Sequence, residues 1–480
     1  MTTAPPGIFW LTRDFRLADN AALRAAITDG PLLPVFIIDR LTLEQGAASR
    51  WRLGRALAAF DAALRARSGG RGVSVLRGEA DELLPVLMQR LGARRLHQSD
   101  WPTPGMRALQ ARLRAALRPI GGDLVLHQGH LLLPPAALRN ASGGAFRVYS
   151  PFARALRRIG ADRPAPDAPA RITGFAALPD DPDPARLDLA PDLHRGRAAL
   201  ERFALPAGEA AAQARLAEFL DRAEDYADGR DRPDLNVTSG LSEHLALGEI
   251  GPRTLWAMAA PQAELISGQA QGIAKFLSEV IWREFAWHLL IEFPQMTDTC
   301  WRPEWQRFPW QKDGPGLTQW RRAETGVALV DAGLREMWVT GRMHNRVRMV
   351  AASWLTKHLL TDWRAGLAHF ADCLTDWDPA SNAMNWQWVA GCGPDAAPYF
   401  RIFNPDLQAR RYDPDAAYRR RWLAGTGSAG TSEARAWLDT VPRAWQVKPC
   451  WQPGPPSALS AGRKAALAAL TRFRALRPEN

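Results

Sequence analysis

The hydrophobic period changes part-way along this 480-residue chain, and that change restricts the architectures open to it. Up to about residue 130, short β-rich runs recur at Gly7–Thr12, Leu32–Ile38, Val73–Leu76, Arg95–Gln98 and Leu124–His127. Arg/Ala/Leu-rich stretches of helical period, such as Trp51–Arg67 and Pro104–Leu117, lie between them. Strands alternating with helices predict a parallel sheet with helices on its faces, a Rossmann-like α/β domain. Residues 160–195 are rich in Pro, Asp and Ala (Arg163-Pro-Ala-Pro-Asp-Ala-Pro, then Pro179-Asp-Asp-Pro-Asp-Pro) and read as a solvated connector. From about residue 200 only the 3.6 period remains, over Glu209–Tyr226, Gly272–Glu292, Leu317–Thr325, Asn345–Leu360, Trp363–Leu374 and Leu459–Leu476. The sequence therefore predicts an α/β N-terminal domain over 1–135, an interdomain linker over 136–200, and a larger all-α C-terminal domain over 201–480.

Composition narrows the function less than the fold. The 61 basic residues exceed the 50 acidic ones, a formal charge of +11 that favours a polyanionic partner such as nucleic acid through phosphate contacts. Preference for Arg codons in a GC-rich genome gives the same number. No run of eighteen apolar residues exists, so no membrane span is expected. The start, Met1-Thr-Thr-Ala-Pro-Pro, has neither a basic n-region nor an apolar h-region, and the expected compartment is the cytoplasm. The cysteines, Cys300, Cys373, Cys392 and Cys450, include no CxxC pair. They read as free thiols in a reducing compartment, with a four-cysteine iron–sulfur cluster as the sharper alternative that the spacing supports little. No metal site is predicted. The 20 tryptophans lie mostly after Trp282, where they can pack a core, stack on bases or relay electrons.

Four segments concentrate chemistry. Asp225-Tyr226 and Thr238-Ser239-Gly240-Leu241-Ser242 supply hydroxyls, backbone N–H groups and one glycine where a helix begins. That set suits a pyrophosphate, and also an ordinary helix cap. Glu279, Trp282 and Arg283 share one helix face at i, i+3 and i+4, as a pocket wall or as a surface ion pair beside a core indole. Asn345 and Met349 are i, i+4 with Arg348 beside them, on a face that suits a flat, partly polar ligand or is simply a solvated Arg-rich helix. Leu374 to Pro405 packs Asp, Asn, Trp and Gly densely. If Asn382 opens a helix there, Trp386 lies at i+4 and Trp388 points about 160° away.

At these segments the chain resembles the photolyase/cryptochrome family, and within it a class I-type DNA photolyase for cyclobutane pyrimidine dimers. Phe9-Trp-Leu-Thr-Arg-Asp-Phe-Arg-Leu-Ala-Asp-Asn20 is similar to the family's opening strand and turn, Val148-Tyr-Ser-Pro-Phe152 to its interdomain segment, and residues 270–412 match almost continuously. The resemblance implies an N-terminal antenna domain, a helical FAD-binding catalytic domain, and a monomer acting on UV-damaged DNA. Tyr226, Thr238, Ser239, Gly240, Leu241 and Ser242 would hold FAD phosphates and ribityl. Arg283, Asn345, Arg348, Asp376, Asp378 and Asn382 would complete the flavin site, with Arg348 and Asp376 paired and Asn382 facing flavin N5. Trp310, Trp363 and Trp386 correspond to the family's electron-relaying tryptophans. Glu279, Trp282, Asn345, Met349 and Trp388 match the lesion pocket of the cyclobutane-dimer type, with Arg230 on backbone phosphate; 6–4 repair enzymes carry a second His where Asn345 stands. The implied reaction splits the dimer with an electron from photoexcited reduced FAD. A cryptochrome-like blue-light photoreceptor is the alternative, and a flavin-binding DNA protein without catalysis a third.

Two stretches depart from the pattern. Ser99-Asp-Trp-Pro-Thr-Pro-Gly-Met-Arg107 lacks the Tyr-Glu pattern common where a second, folate- or deazaflavin-type chromophore sits. Lys448-Pro-Cys-Trp-Gln-Pro-Gly-Pro-Pro lacks the Tyr-Pro-x-Pro-Ile-Val-Asp stretch that supports the family's last helix.

Overall fold

The computed structural model describes residues 4–176, 178, 182–193, 197–265, 268–312, 314–395, 400–425 and 430–475. Residues 1–3, residues 179–181 of the connector, residues 396–399 of the Leu374–Pro405 segment, and Leu476 lie outside them. The chain divides into two compact units, Met1–Pro191 with Pro206–Ala227 and Thr238–Pro294, and Asp192–Leu205 with Asp228–Val237 and Gln295–Asn480.

In the first unit, β1 (Gly7–Leu11), β2 (Leu32–Ile38), β3 (Ser74–Arg77), β4 (Arg95–Ser99) and β5 (Asp123–His127) form one parallel sheet in the order β3-β2-β1-β4-β5. Every residue of β1 and β2 is buried, as expected for strands covered on both faces. Alternate side chains feed two cores. Phe9, Leu11, Phe36 and Ile38 pack with Leu53, Leu57 and Phe60 of the Ala47–Arg67 helix. Ile8, Trp10, Val35 and Ile37 pack with Leu84, Met88, Leu109 and Leu113 on the opposite face. The Pro104–Leu117 helix starts where the sequence says it should, because Pro104 fills the first position and Thr103 caps the N–H of Met106.

The stretch read as a solvated connector is built into this unit. The N–H groups of Ile172 and Ala168 donate to Arg67 O and Leu17 O, Leu32 N–H donates to Thr173 O, and Ala168, Ile172 and Leu189 join the sheet core. Its few apolar residues enter the core beside the start of β2, where Leu32 pairs with Gly174, a destination that the surrounding Pro and Asp residues conceal. Within 136–200 there is also a helix, Tyr149–Ile159, packed on the long Gly268–Glu292 helix.

Helical ends differ from the expected ones for local reasons. Glu209–Asp221 is followed by a tight turn before the short Tyr226–Gly229 helix. Pro315–Arg321 stops short of Thr325, and Ala323 and Gly326 carry positive φ. Asn345–Ser353 passes into a π-turn at Trp354–His358, where Leu359 N–H reaches back to Trp354 O. The helix expected to open at Asn382 opens at Pro379, since Asp378 caps it and proline occupies its first position. Asn382 and Trp386 keep their i, i+4 relation.

The second unit is all-helical. Trp320, Trp363, Trp386, Trp437 and Tyr418 are buried in one core with Ala466, Ala469 and Phe473 of the Ala458–Ala475 helix. The altered stretch before that helix is anchored by the Trp451 indole N–H, which donates to Asp331 at 2.8 Å.

A buried ion cluster ties the first unit together. Arg52 donates to Glu243 at 2.9 Å and to both oxygens of Glu249 at 3.0 and 2.6 Å, all at 3% side-chain exposure or less. Burial opposes ionisation of Glu249, but hydrogen bonds from His244 and Arg52 outweigh it and hold the carboxyl down to about 2. Removing Arg52 leaves two carboxylates buried without their cation. Arg52→Ala should cost about 3–5 kcal/mol in urea denaturation, whereas a loss near that of a surface substitution would show the cluster to be dispensable.

Candidate functional site

Each unit carries its own share of the predicted site residues. In the first, the Thr238–Ser242 segment turns through Gly240 at φ +63°, and Leu241 N–H donates to Ser239 Oγ at 3.4 Å before the Ser242–Leu247 helix begins. A Cβ on Gly240 would lie 2.7 Å from Nη1 of Arg215, so a guanidinium covers this turn. The Arg222 guanidinium reaches Thr238 O at 3.5 Å. Neither arginine was singled out from the sequence, because each sits among ordinary helical residues and meets the turn only in the fold. Hydroxyls, a glycine that keeps the backbone bare and two guanidinium groups suit a pyrophosphate. Tyr226 is buried, edge-on to Phe219 and Phe276.

The same unit carries Glu279, Trp282 and Arg283 on the Gly268–Glu292 helix. Trp282 is half-buried and stacked on Tyr149, centroids 3.5 Å apart and planes within 2°. The Tyr149 hydroxyl donates to Ser278 O at 3.0 Å, which fixes the phenol and hence the indole plane. Glu279 lies 3.8 Å from Lys275. Arg283 donates to His130 O at 3.0 Å and contacts the His130 ring. Burial, then Arg283, holds that imidazole well below its ordinary range and neutral. Arg283 thus braces the His130 segment.

In the second unit, Arg348 and Asp376 form an ion pair, with Nη2 at 3.0 and 2.8 Å from the two carboxylate oxygens and Nε donating to Met343 O at 2.7 Å. Thr375 fixes Asp376 by donating its N–H and hydroxyl to Gly341 O. Asp378 accepts from Ser381 N–H at 2.7 Å, starting the Pro379–Ala390 helix. Asn382, buried one turn on, donates its side-chain N–H to Asp378 O at 3.0 Å. That bond settles the amide's orientation: nitrogen toward the helix turn, oxygen turned away as an acceptor. On the neighbouring helix Asn345 is exposed and Met349 half-buried, one turn apart. Arg230 lies 3.9 Å from Asp231, which also binds Arg346 at 2.6 Å.

The three tryptophans expected to relay electrons differ in exposure. Trp386 and Trp363 are buried and Trp310 is half-buried against Phe308, centroids 4.4 Å apart. Trp388, two residues past Trp386, is half-buried beneath the Arg401 guanidinium. Trp386 rests on Gly366, where a Cβ would come within 2.1 Å of the indole.

Family models for "DNA photolyase" and "FAD binding domain of DNA photolyase" match residues 7–170 and 276–446. A deoxyribodipyrimidine photo-lyase of Agrobacterium fabrum is 41% identical over 422 residues, 87% of this chain and 87% of that protein. The chain belongs to the DNA photolyase family. A class III photolyase from Agrobacterium tumefaciens superposes with TM-score 0.85 at 36% identity, over 99% of this chain and 98% of that one. A cryptochrome from Synechocystis superposes at 0.78 and 26% identity, over 95% and 98%. The chain therefore joins the parallel α/β domain of DNA photolyases to their helical FAD-binding domain. No helix among the described residues is long and apolar enough to cross a membrane, and no group of three or more His, Cys, Asp or Glu among them is placed to hold a metal.

Two outcomes follow from the packing. Gly366→Ala should displace the Trp386 indole and cost about 1–3 kcal/mol, read by urea denaturation with tryptophan emission; unchanged stability and emission would show slack at this contact. Glu284, buried beside Arg283, accepts from the N–H groups of Leu132 and Leu133, and burial pushes its carboxyl up to about 7. Raised above the unfolded value near 4.5, it makes the fold lose stability as pH climbs from about 4.5 to 7. Glu284→Gln cannot ionise, so it should be more stable than the parent by about 2–3 kcal/mol at pH 8 and by little at pH 4.5. Equal stability at both pH values would count against a buried carboxylate there.

Proposed function

We propose that this protein repairs cyclobutane pyrimidine dimers in UV-damaged DNA, as a cytoplasmic monomer using reduced FAD and blue light. The observation that carries the reading is that the residues of a dimer pocket (Glu279, Trp282, Asn345, Met349 and Trp388) all stand in a chain whose relatives are named deoxyribodipyrimidine photo-lyase.

The residues present fit the cofactor. Thr238, Ser239, Gly240, Leu241, Ser242 and Tyr226 hold its phosphates and ribityl, joined by Arg215. Arg348, Asp376, Asp378, Asn345 and Asn382 would hold the ring system, with Arg283 assigned to the cofactor as well. Reduced FAD, when bound and excited, supplies the electron that opens the cyclobutane ring and receives it back. The chain does the rest. The Asn382 oxygen would accept a hydrogen bond from a protonated ring nitrogen without adding charge. The Arg348–Asp376 pair places a guanidinium near the ring while keeping the local charge balanced. Trp282, held flat by Tyr149, and Trp388 present aromatic surface to a flipped-out lesion, which costs less to unstack than an intact pair. Glu279 hydrogen-bonds the dimer and Arg230 contacts phosphate. Trp386, Trp363 and Trp310 would relay electrons inward to an oxidised flavin.

A cryptochrome-like photoreceptor is the second reading, favoured by the superposition on the Synechocystis cryptochrome. Lesion preference separates the two. Fluorescence anisotropy should show the protein binding a thymine-dimer duplex more tightly than the undamaged duplex, and Trp282→Ala should weaken that binding by about 1–3 kcal/mol, the range for stacked bases. Equal affinity for damaged and undamaged DNA would favour the photoreceptor. Trp386→Phe should block photoreduction of the oxidised flavin while leaving chemically reduced enzyme active; normal photoreduction would remove Trp386 from the relay.

A further inference from the structure

Two of the four cysteines meet inside the second unit, and nothing in the repair reaction uses them. Cys392 follows the Pro379–Ala390 helix and is fully buried; Cys300 is 4% exposed. Arg302 N–H donates to Cys392 O at 3.1 Å, and Gln387 Oε1 accepts from Trp301 N–H at 2.6 Å while lying 3.7 Å from Cys392 Sγ. These bonds lay the two segments side by side and bring the thiols of Cys300 and Cys392 near each other. The Arg364 guanidinium is 4.0 Å from Cys300 Sγ and lies over the Trp363 ring, 4.8 Å from its centroid. Lys357, whose Nζ donates to Ala390 O at 2.6 Å, neighbours Cys392. Cys373 contacts His369 instead, and Cys450 is exposed.

We infer that Cys300 and Cys392 are an oxidation site: a buried dithiol that a peroxide converts to a disulfide. Cys392 beside it, opposed by burial and helped by Trp363 and Arg364, draws the Cys300 thiol below its ordinary range and raises its thiolate share. Cys392, strongly desolvated and next to that partner, is pushed well up and waits as the thiol. The Cys300 thiolate attacks one oxygen of hydrogen peroxide, the O–O bond breaks, and with one proton the products are Cys300 sulfenic acid and water. The Cys392 sulfur then displaces the sulfenic hydroxyl, which leaves as a second water with the thiol proton. Two thiols and one peroxide thus become one disulfide and two waters. Slight exposure of Cys300 selects for a small oxidant.

The test is a peptide map of the full-length protein after brief hydrogen peroxide treatment, alkylation of remaining thiols and digestion without reductant. The expected product is a peptide pair linked through Cys300 and Cys392, lighter by two hydrogens and separated by dithiothreitol, with Cys373 still alkylated. In Cys392→Ser, Cys300 should stop at the sulfenic acid and be captured by dimedone. Should that variant fail to fold, the map of the unaltered protein decides alone. Cys300 and Cys392 both alkylated while Cys450 oxidises, or Cys300 driven to sulfinic acid with Cys392 untouched, would overturn the inference.

Discussion

The hydrogen bond from Ser381 N–H to the Asp378 carboxylate fixes where the Pro379–Ala390 helix begins, and much of the second unit is keyed to that register. From this start Asn382 falls one turn in, close enough to return its amide N–H to Asp378 O. Trp386 falls one turn further and enters the core against Gly366, while Trp388 emerges on the other side beneath Arg401. Gln387, between the two indoles, is wholly buried and binds Met296 O, Thr299 O and Trp301 N–H. A slip of one residue would turn each side chain by about 100° and exchange core, polar and half-exposed positions together.

The same economy governs the charges. Asp376 is paired with Arg348, and Glu249 with Arg52. Buried carboxylates lacking a full cationic partner behave differently: Glu284 relies on backbone N–H groups and is pushed toward neutrality. Glu249 thus keeps its charge where a guanidinium is held rigidly beside it.

The sequence disclosed those parts of the fold that rest on local rules. The strand positions followed from short apolar runs, and the Pro104–Leu117 helix from a Thr cap and a proline. The i, i+4 relation of Asn382 and Trp386 survived a wrong starting residue because periodicity is independent of where a helix opens. Contacts between distant residues were hidden. Tyr149 under Trp282, His130 under Arg283, Arg215 over Gly240 and Gly366 under Trp386 are all pairs that only the folded chain brings together. Val148–Phe152 was noticed as a segment, but nothing local revealed that its tyrosine would set an indole plane. The connector misled for a related reason: scattered apolar residues such as Ile172 look solvated until the core beside β2 receives them.

This arrangement of side chains is proposed to drive a light-dependent bond cleavage in damaged DNA. Purified protein with its flavin reduced, mixed with an oligonucleotide carrying a single thymine dimer, should regenerate the two thymines under blue light and leave them fused in the dark, as read by chromatography of the oligonucleotide. A dimer that stays intact through illumination, with flavin bound and reduced and DNA bound, would contradict the account.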